Sequence, residues 1–270
     1  MTMSNTERLA NYDLRAEIKA YWSERAATFD QSPGHEIFSE EERVAWHQLL
    51  LRHLGSGDDR AALDLASGTG VISHLMDDLG FRVTGMDWAE PMMERAHAKA
   101  KTRNRSISFR LGDAENTMEA DNAYDVIVNR HLVWTLVDPK AAFAEWLRVL
   151  KPGGTLLIID GDFVSSTPLE RLLSKLAVLG QRLHILKRDL VGASAAMMDT
   201  HRSILSRVYF SQGARAEAVA DLLLRSGFES VTIDTDLARI HRAQAKHWNL
   251  FKGLARGIQH RYAIRATKAG

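Results

Sequence analysis

The stretch Leu63-Asp64-Leu65-Ala66-Ser67-Gly68-Thr69-Gly70, LDLASGTG, decides how this chain is read. A short apolar strand, Ala61 to Leu65, runs into two glycines one residue apart, and an apolar helix from Val71 to Leu79 follows. Glycines at a strand-to-helix turn let a ligand approach the backbone where a Cβ would clash. Nicotinamide, nucleotide phosphate and other ligands all remain open on this evidence.

The neighbouring residues narrow the choice. A dinucleotide fingerprint needs a third glycine, but Ser73 stands there, and the Gly-Lys-Ser/Thr of a phosphate loop is absent. Asp64 would repel pyrophosphate and suits a ligand with an ammonium group. Asp87 closes the next strand, Phe81 to Met86, at the position from which a carboxylate reaches ribose hydroxyls. Asp113 follows the strand Ile107 to Leu111 and can accept from an adenine amine. Acids ending three successive strands describe a nucleoside with an amino-acid tail.

Outward from this core, helices and strands alternate. A helix is expected over Pro91 to Lys101, a strand over Val126 to Asn129, a helix over Lys140 to Leu150 stopped by Lys151-Pro152-Gly153-Gly154, and a strand over Thr155 to Ile159. Such alternation implies parallel strands joined by crossover helices, an α/β fold. Residues 12–54 read as helical, broken near Gln31-Ser32-Pro33-Gly34, with Ser39 and Glu42 spaced as a capping box. Phe163 to Tyr209 breaks the rhythm with leucines at 172, 173, 176, 179, 183, 186 and 190 in helical spacing, interleaved with Lys175, Arg182, Lys187 and Arg188. That amphipathic pattern covers a core or pocket, or lies on a membrane surface. A helix at Ala214 to Ser226 and strands near Val231 to Thr235 and Tyr262 to Thr267 complete the chain.

Composition excludes several classes. Thirty-five basic against thirty-four acidic residues leave a net charge of +1, so no global field gathers nucleic acid or anionic membrane. No cysteine is present, which removes disulfides, thiolate nucleophiles and cysteine-ligated metal. The N-terminal stretch lacks a signal-peptide pattern and no apolar run spans a membrane, so a cytoplasmic protein is expected. His241 and His247 do not form a metal spacing, and no metal is expected.

In their order along the chain, LDLASGTG, MDWAEPMMERA, LGDAE, AYDVIVNRHLVWTL and WLRVLKPGGTLLIID resemble the class I S-adenosylmethionine-dependent methyltransferases, in particular their ubiquinone/menaquinone-biosynthesis-like group acting on small molecules. The resemblance covers roughly residues 20–160 and implies a Rossmann-like three-layer sandwich. Its seven-stranded sheet is mostly parallel with the last strand antiparallel, with an N-terminal helical lid and a helical insertion after strand 5. The expected division is 1–54 lid, 55–162 cofactor-binding core, 163–210 insertion capping the substrate, and 211–270 completing the sheet. The resemblance places Gly68 and Gly70 near the methionine part of S-adenosylmethionine, with Asp64, Ala66 and Ser67 in the same motif. It puts Asp87 on the ribose, Asp113 and Ala114 at the adenine, Asn129 beside the sulfonium, and Tyr21 in the lid. Ala66 departs from the glycine of many members.

Each residue also has a plainer reading. Asp87 and Asp113 are equally suited to capping helices, and Tyr21 and Trp22 to an N-terminal core. Trp88 either stacks near adenine or covers the sheet edge. Methyl transfer from a sulfonium is an in-line displacement in which the enzyme chiefly aligns reactants, and a base is needed only where the acceptor must lose a proton. His131, just past the fourth strand, is either that base or a residue shaping the pocket. Arg130 suits an anionic acceptor or the cofactor carboxylate, and Trp134 a pocket wall. Asp160 and Asp162 attract an amine, act as base, or are solvated loop residues. His184, His201 and Trp248 receive no assignment. The expected partner is a small methyl acceptor, with S-adenosylhomocysteine as the cofactor product. Nucleic acid and stable membrane association are not expected, and a homodimer is allowed. A non-catalytic binder of the same cofactor is the alternative; a nicotinamide oxidoreductase is disfavoured by Ser73 and the acidic loop.

Overall fold

Alternate residues of a strand face opposite sides, so a strand covered on both faces must be apolar throughout. Val126 and Val128 pack into one layer and Ile127 into the other; Leu157 and Ile159 oppose Leu156 and Ile158 in the same way. These are the central strands of a three-layer sandwich. In the computed structural model, which describes residues 5–165, 167–183 and 194–270, seven strands form one sheet. They are β1 (Ala61–Leu65), β2 (Arg82–Asp87), β3 (Ser108–Leu111), β4 (Tyr124–Arg130), β5 (Leu150–Gly161), β6 (Ser230–Asp234) and β7 (Arg261–Thr267), in the order β3-β2-β1-β4-β5-β7-β6. β1 to β5 pair parallel, and β7 is antiparallel to both β5 and β6, as expected of the last strand.

The helices flank the sheet. Trp46 and Leu50 of α2 (Glu40–Leu54) and Ile72 and Met76 of α3 (Val71–Asp78) pack on one face, with Met93 and Ala96 of α4 (Glu90–Thr102). Phe143 and Trp146 of α5 (Pro139–Val149) fill the other face. α1 (Asn5–Arg25) precedes them, followed by a 3₁₀ turn at Phe29–Gln31. After β5 come α6 (Pro168–Arg182), α7 (Ala195–Leu205) and α8 (Ala216–Arg225), and α9 (Ala238–Ala245) and α10 (Leu250–Ile258) lie between β6 and β7.

Several expectations are corrected. The strand expected from Thr155 begins earlier: Lys151-Pro152-Gly153-Gly154, which ends the helix as expected, already lies within β5, where the register to β4 shifts. Only half of the expected capping box forms: Ser39 Oγ accepts from Glu42 N, but Glu42 accepts from Phe38 N and Gln244 Nε2. Among the described leucines of the stripe none is fully buried. Leu173 and Leu176 are half-buried, and Leu172, Leu179 and Leu183 are exposed on α6; residues 186–188 and 190 lie outside the described residues, as does His184. α9 and α10 were not anticipated. Among the described residues no helix is long and apolar enough to cross a membrane.

The turn after β1 has a backbone that few residues tolerate. Ala66, Gly68 and Gly70 all take positive φ, at 51°, 55° and 84°. A Cβ on Gly70 would stand 2.7 Å from the Phe109 ring, so this glycine serves helix entry and packing. Gly70→Ala is expected to destabilise the protein by about 2–4 kcal/mol in urea unfolding, from combined strain and overpacking. Ala66→Gly, which relieves a left-handed alanine at the cost of chain entropy, should change stability by less than about 1 kcal/mol.

Candidate functional site

In an open α/β sheet a crevice forms beyond the strand ends where neighbouring strands send their connections to opposite sides. Here that point lies between β1 and β4, and a cavity of about 380 Å³ sits there. Of the residues singled out from sequence, Tyr21, Asp64, Ala66, Ser67, Gly68, Asp87, Trp88, Asp113, Ala114, Arg130, His131 and Trp134 line it. Gly70, Asn129, Asp160 and Asp162 do not.

The three strand-end acids are held differently. Asp64 Oδ2 accepts from Ser73 Oγ at 2.6 Å, so the residue that breaks the dinucleotide fingerprint fixes the first acid. Burial pushes the Asp64 carboxyl up to about 7. Asp87 accepts from Gly68 N and Ala89 N, both at 2.9 Å, and burial pushes it up to about 6. It therefore braces the loop and the approach to α4 while lining the cavity, which joins its two readings. Asp113 accepts from Glu115 N at 2.9 Å and from Arg15 Nη1 at 3.1 Å.

Four expectations move elsewhere. Gly70 packs on Phe109, as described. Asn129 is fully buried in β4, its amide nitrogen and oxygen without hydrogen-bond partners among the described residues. By strand alternation it shares the face of Ile127, and the next residue, Arg130, is the one that reaches the cavity. Asp160 is buried because it accepts from Val133 N and Gly161 N, and Asp162 because it accepts from Val164 N and Ser165 N. These carboxylates satisfy loop amides and do not face an acceptor. His131 lines the cavity, but its Nε2 meets the Arg261 guanidinium, which can only donate. Burial and that cation hold the imidazole well below its usual range, so the geometry favours shaping the pocket over the general base.

The remaining wall comes from residues without a motif. Ile18, Trp22 and Arg25 of α1, Phe29 and His35 after it, Phe163, His201 of α7 and Arg256 of α10 all line the cavity. Tyr21 and His201 rings stack at 5.5 Å, and Phe29 and His35 at 4.3 Å. Asp30 fastens this segment to the glycine turn, accepting from Thr69 Oγ1 at 2.6 Å and pairing with Lys99 at 2.9 Å. Arg15 ties α1 to Asp113 and Glu115 across the adenine-motif loop. Only the aromatic density of AYWSERAATFD hinted at this wall; contacts from residues 163, 201 and 256 carry no local signal. Among the described residues no cluster could hold a metal ion.

Residues 63–158 match the family described as "Methyltransferase domain". A demethylmenaquinone methyltransferase of Renibacterium salmoninarum is 31% identical over 144 residues, 53% of this chain and 58% of that protein. The ubiquinone/menaquinone biosynthesis C-methyltransferase UbiE of Bdellovibrio bacteriovorus is 25% identical over 247 residues, 88% of this chain and 100% of that one. Among solved structures, phosphoethanolamine N-methyltransferase 2 of Haemonchus contortus in complex with S-adenosyl-L-methionine aligns with a TM-score of 0.64 at 14% identity, over 92% of this chain and 57% of its own; this likeness is one of fold.

The raised carboxyls have a consequence for stability. A folded pKa of about 7 for Asp64 lies above the unfolded value, so its contribution is complete below about pH 4 and fades as pH rises to about 7. Asp64→Asn, which cannot ionise, should therefore gain stability relative to the wild type between pH 4 and pH 8 in urea unfolding. Parallel stability curves would show that the carboxyl is not destabilised by burial.

Proposed function

We propose that this chain, a class I S-adenosylmethionine-dependent methyltransferase of the ubiquinone/menaquinone-biosynthesis type, methylates oxygen, nitrogen or carbon of a small molecule. The observation that carries this reading is one cavity with two unlike sides. Strand-end acids and the glycine turn form one, and His131, Trp134, Phe163 and His201 form the other.

The residues fit the cofactor. Ser67 Oγ has neither solvent contact nor a partner among the described residues, and Ser67 lines the cavity beside Gly68. When bound, S-adenosylmethionine supplies a methyl group on a positively charged sulfur and leaves as S-adenosylhomocysteine. Asp64, Ala66, Ser67 and Gly68 would hold its amino-acid end, Asp87 its ribose, and Asp113, Ala114 and Trp88 its adenine. Tyr21 and Trp22 close that side, with α1 as lid. Trp134 and Phe163, 5.6 Å apart and edge to face, wall the acceptor side and keep water out. Alignment of this kind is worth about 7–11 kcal/mol of barrier. Of the three imidazoles lining the cavity, His35 is pushed down to about 3 by burial and then Arg130, His131 is held by Arg261, and burial lowers His201. The reading therefore favours acceptors that reach the site as nucleophiles.

The wider reading keeps the division into lid (1–54), core (55–162), cap (163–210) and sheet completion (211–270). It places the protein in the cytoplasm without nucleic acid or stable membrane association, and it admits a homodimer. The quinone chemistry named for the two relatives is one acceptor class to assay.

Isothermal titration with S-adenosylmethionine and S-adenosylhomocysteine should show binding of both. Asp87→Ala should weaken it at least about tenfold, the loss of a charge-assisted hydrogen bond. If the wild type bound neither at high micromolar concentration, the reading would fail.

A further inference from the structure

We propose that Arg130, Arg256 and Arg261 form an anion subsite beside the cavity that receives a carboxylate or phosphate group of the methyl acceptor. The proposal rests on the methyltransferase reading and specifies its substrate class.

Three guanidinium groups converge here, and the acids around them, Asp64, Glu36, Glu42 and Asp30 for Arg130 and Asp160 for Arg261, act only from beyond ion-pair distance. Arg130, at the end of β4, donates through Nη2 to the His35 carbonyl at 3.1 Å and lies 5.4 Å from the Trp46 ring centre. Its Nη1 has no solvent contact and no partner among the described residues, and the same holds for Nε of Arg256. Arg256 projects from α10 into the same cavity, past Gly34. A Cβ on Gly34 would stand 2.7 Å from Arg256 Nη2, and Gly34 has φ +88°, so backbone and side chain are shaped around each other. Arg261, 7% exposed at the start of β7, donates to Gln244 Oε1 at 3.4 Å and to His131 Nε2. Among the described residues none of the three forms an ion pair within 4.0 Å.

The nearby acids take their hydrogen bonds from other groups and make no direct contact with the three arginines. Asp64 accepts from Ser73, Asp160 from Val133 and Gly161, Glu36 from Lys99, Glu42 from Gln244 and Phe38, and Asp30 from Thr69. Burial, reinforced by Arg130, pushes Arg256 down to about 10, a mark of the cost of holding these charges together. Buried charge without a partner is strongly unfavourable, and a planar guanidinium with free N–H groups is matched by carboxylate or phosphate oxygens. A bound anion supplies the missing charge.

The cofactor also carries a carboxylate, but the placement favours the acceptor. Arg261, at the start of β7, donates to His131 and lies 5.8 Å from the Phe163 ring centre, on the acceptor side, while Arg130 and Arg256 extend from it towards Gly34 and His35. Arg25 of α1 also lines the cavity, its guanidinium donating to Thr28 Oγ1 at 3.3 Å, and is placed to meet the cofactor's carboxylate. An acceptor anchored by its anionic end is oriented before reaction, with its nucleophile directed at the methyl group.

The test uses the intact chain. The wild type saturated with S-adenosylhomocysteine is titrated with inorganic phosphate and with benzoate by calorimetry and thermal shift. At least one probe should bind, Arg256→Gln should weaken it tenfold or more, and Arg256→Lys, which keeps charge without the planar fork, should fall between. Affinity for S-adenosylhomocysteine should change less than threefold in both variants. Far-UV circular dichroism and a melting temperature no lower than the wild type's would establish that Arg256→Gln is folded. Binding of neither probe overturns the subsite. A tenfold loss of S-adenosylhomocysteine affinity in Arg256→Gln, with affinity for 5′-methylthioadenosine unchanged, overturns it in favour of the cofactor's carboxylate. Failure of the wild type to bind S-adenosylhomocysteine instead overturns the methyltransferase reading, and this proposal with it.

Discussion

The Asp87 carboxylate links two strand ends, accepting from Gly68 N in the turn after β1 and from Ala89 N at the start of α4. The turn needs this support because three of its residues, Ala66, Gly68 and Gly70, have left-handed backbone. Glycine meets that demand without steric cost; Ala66 does so at about 1–2 kcal/mol. Once fixed, the turn presents Ser67 and Gly68 to the cavity and starts α3, whose Ser73 returns to hold Asp64. The acidic side of the site is thus one hydrogen-bonded unit made from β1, β2 and α3.

The N-terminal elements close against that unit through charge as much as through apolar packing. Arg15 reaches Asp113 and Glu115, and Glu115 also accepts from Val137 N and Asp138 N, so one carboxylate joins α1 to the segment before α5. Asp30 and Glu36 share Lys99 of α4. These contacts bring Tyr21, Trp22 and Phe29 over the glycine turn. Arg130 of β4 and Arg256 of α10 line the cavity as well, with Arg261 of β7 behind His131, so acidic and basic groups share its lining. Such a lining suits a cationic donor and an anionic acceptor bound side by side.

Local pattern carried the central strands well because β1, β4 and β5 hold short apolar runs bounded by an acid, a glycine or a turn. It failed where local chemistry and tertiary role diverge. Lys151-Pro152-Gly153-Gly154 has the composition of a loop yet enters β5 through a register shift. The leucines of α6 have core spacing, yet several are exposed. α9 and α10 were missed because Ala238 to Ile258 mixes charged and apolar residues without a clear cap before Asn249. In the site, Asp87 could be found from its strand-end position. Arg256 and His201 could not, since they approach the cavity only when distant helices pack.

By itself, the sequence determined the order of the strands in the chain, the glycine-rich turn after β1, and the acids at the ends of β1, β2 and β3, because each depends on neighbours within a few residues. Tertiary structure alone decided which way those side chains face. It turned Asp160 and Asp162 inward to loop amides, placed Asn129 on the buried face of β4, and set Arg261 against His131. The physical reason is that burial and charge pairing depend on residues brought together from across the chain; the partner that changes the role of His131 is 130 positions away.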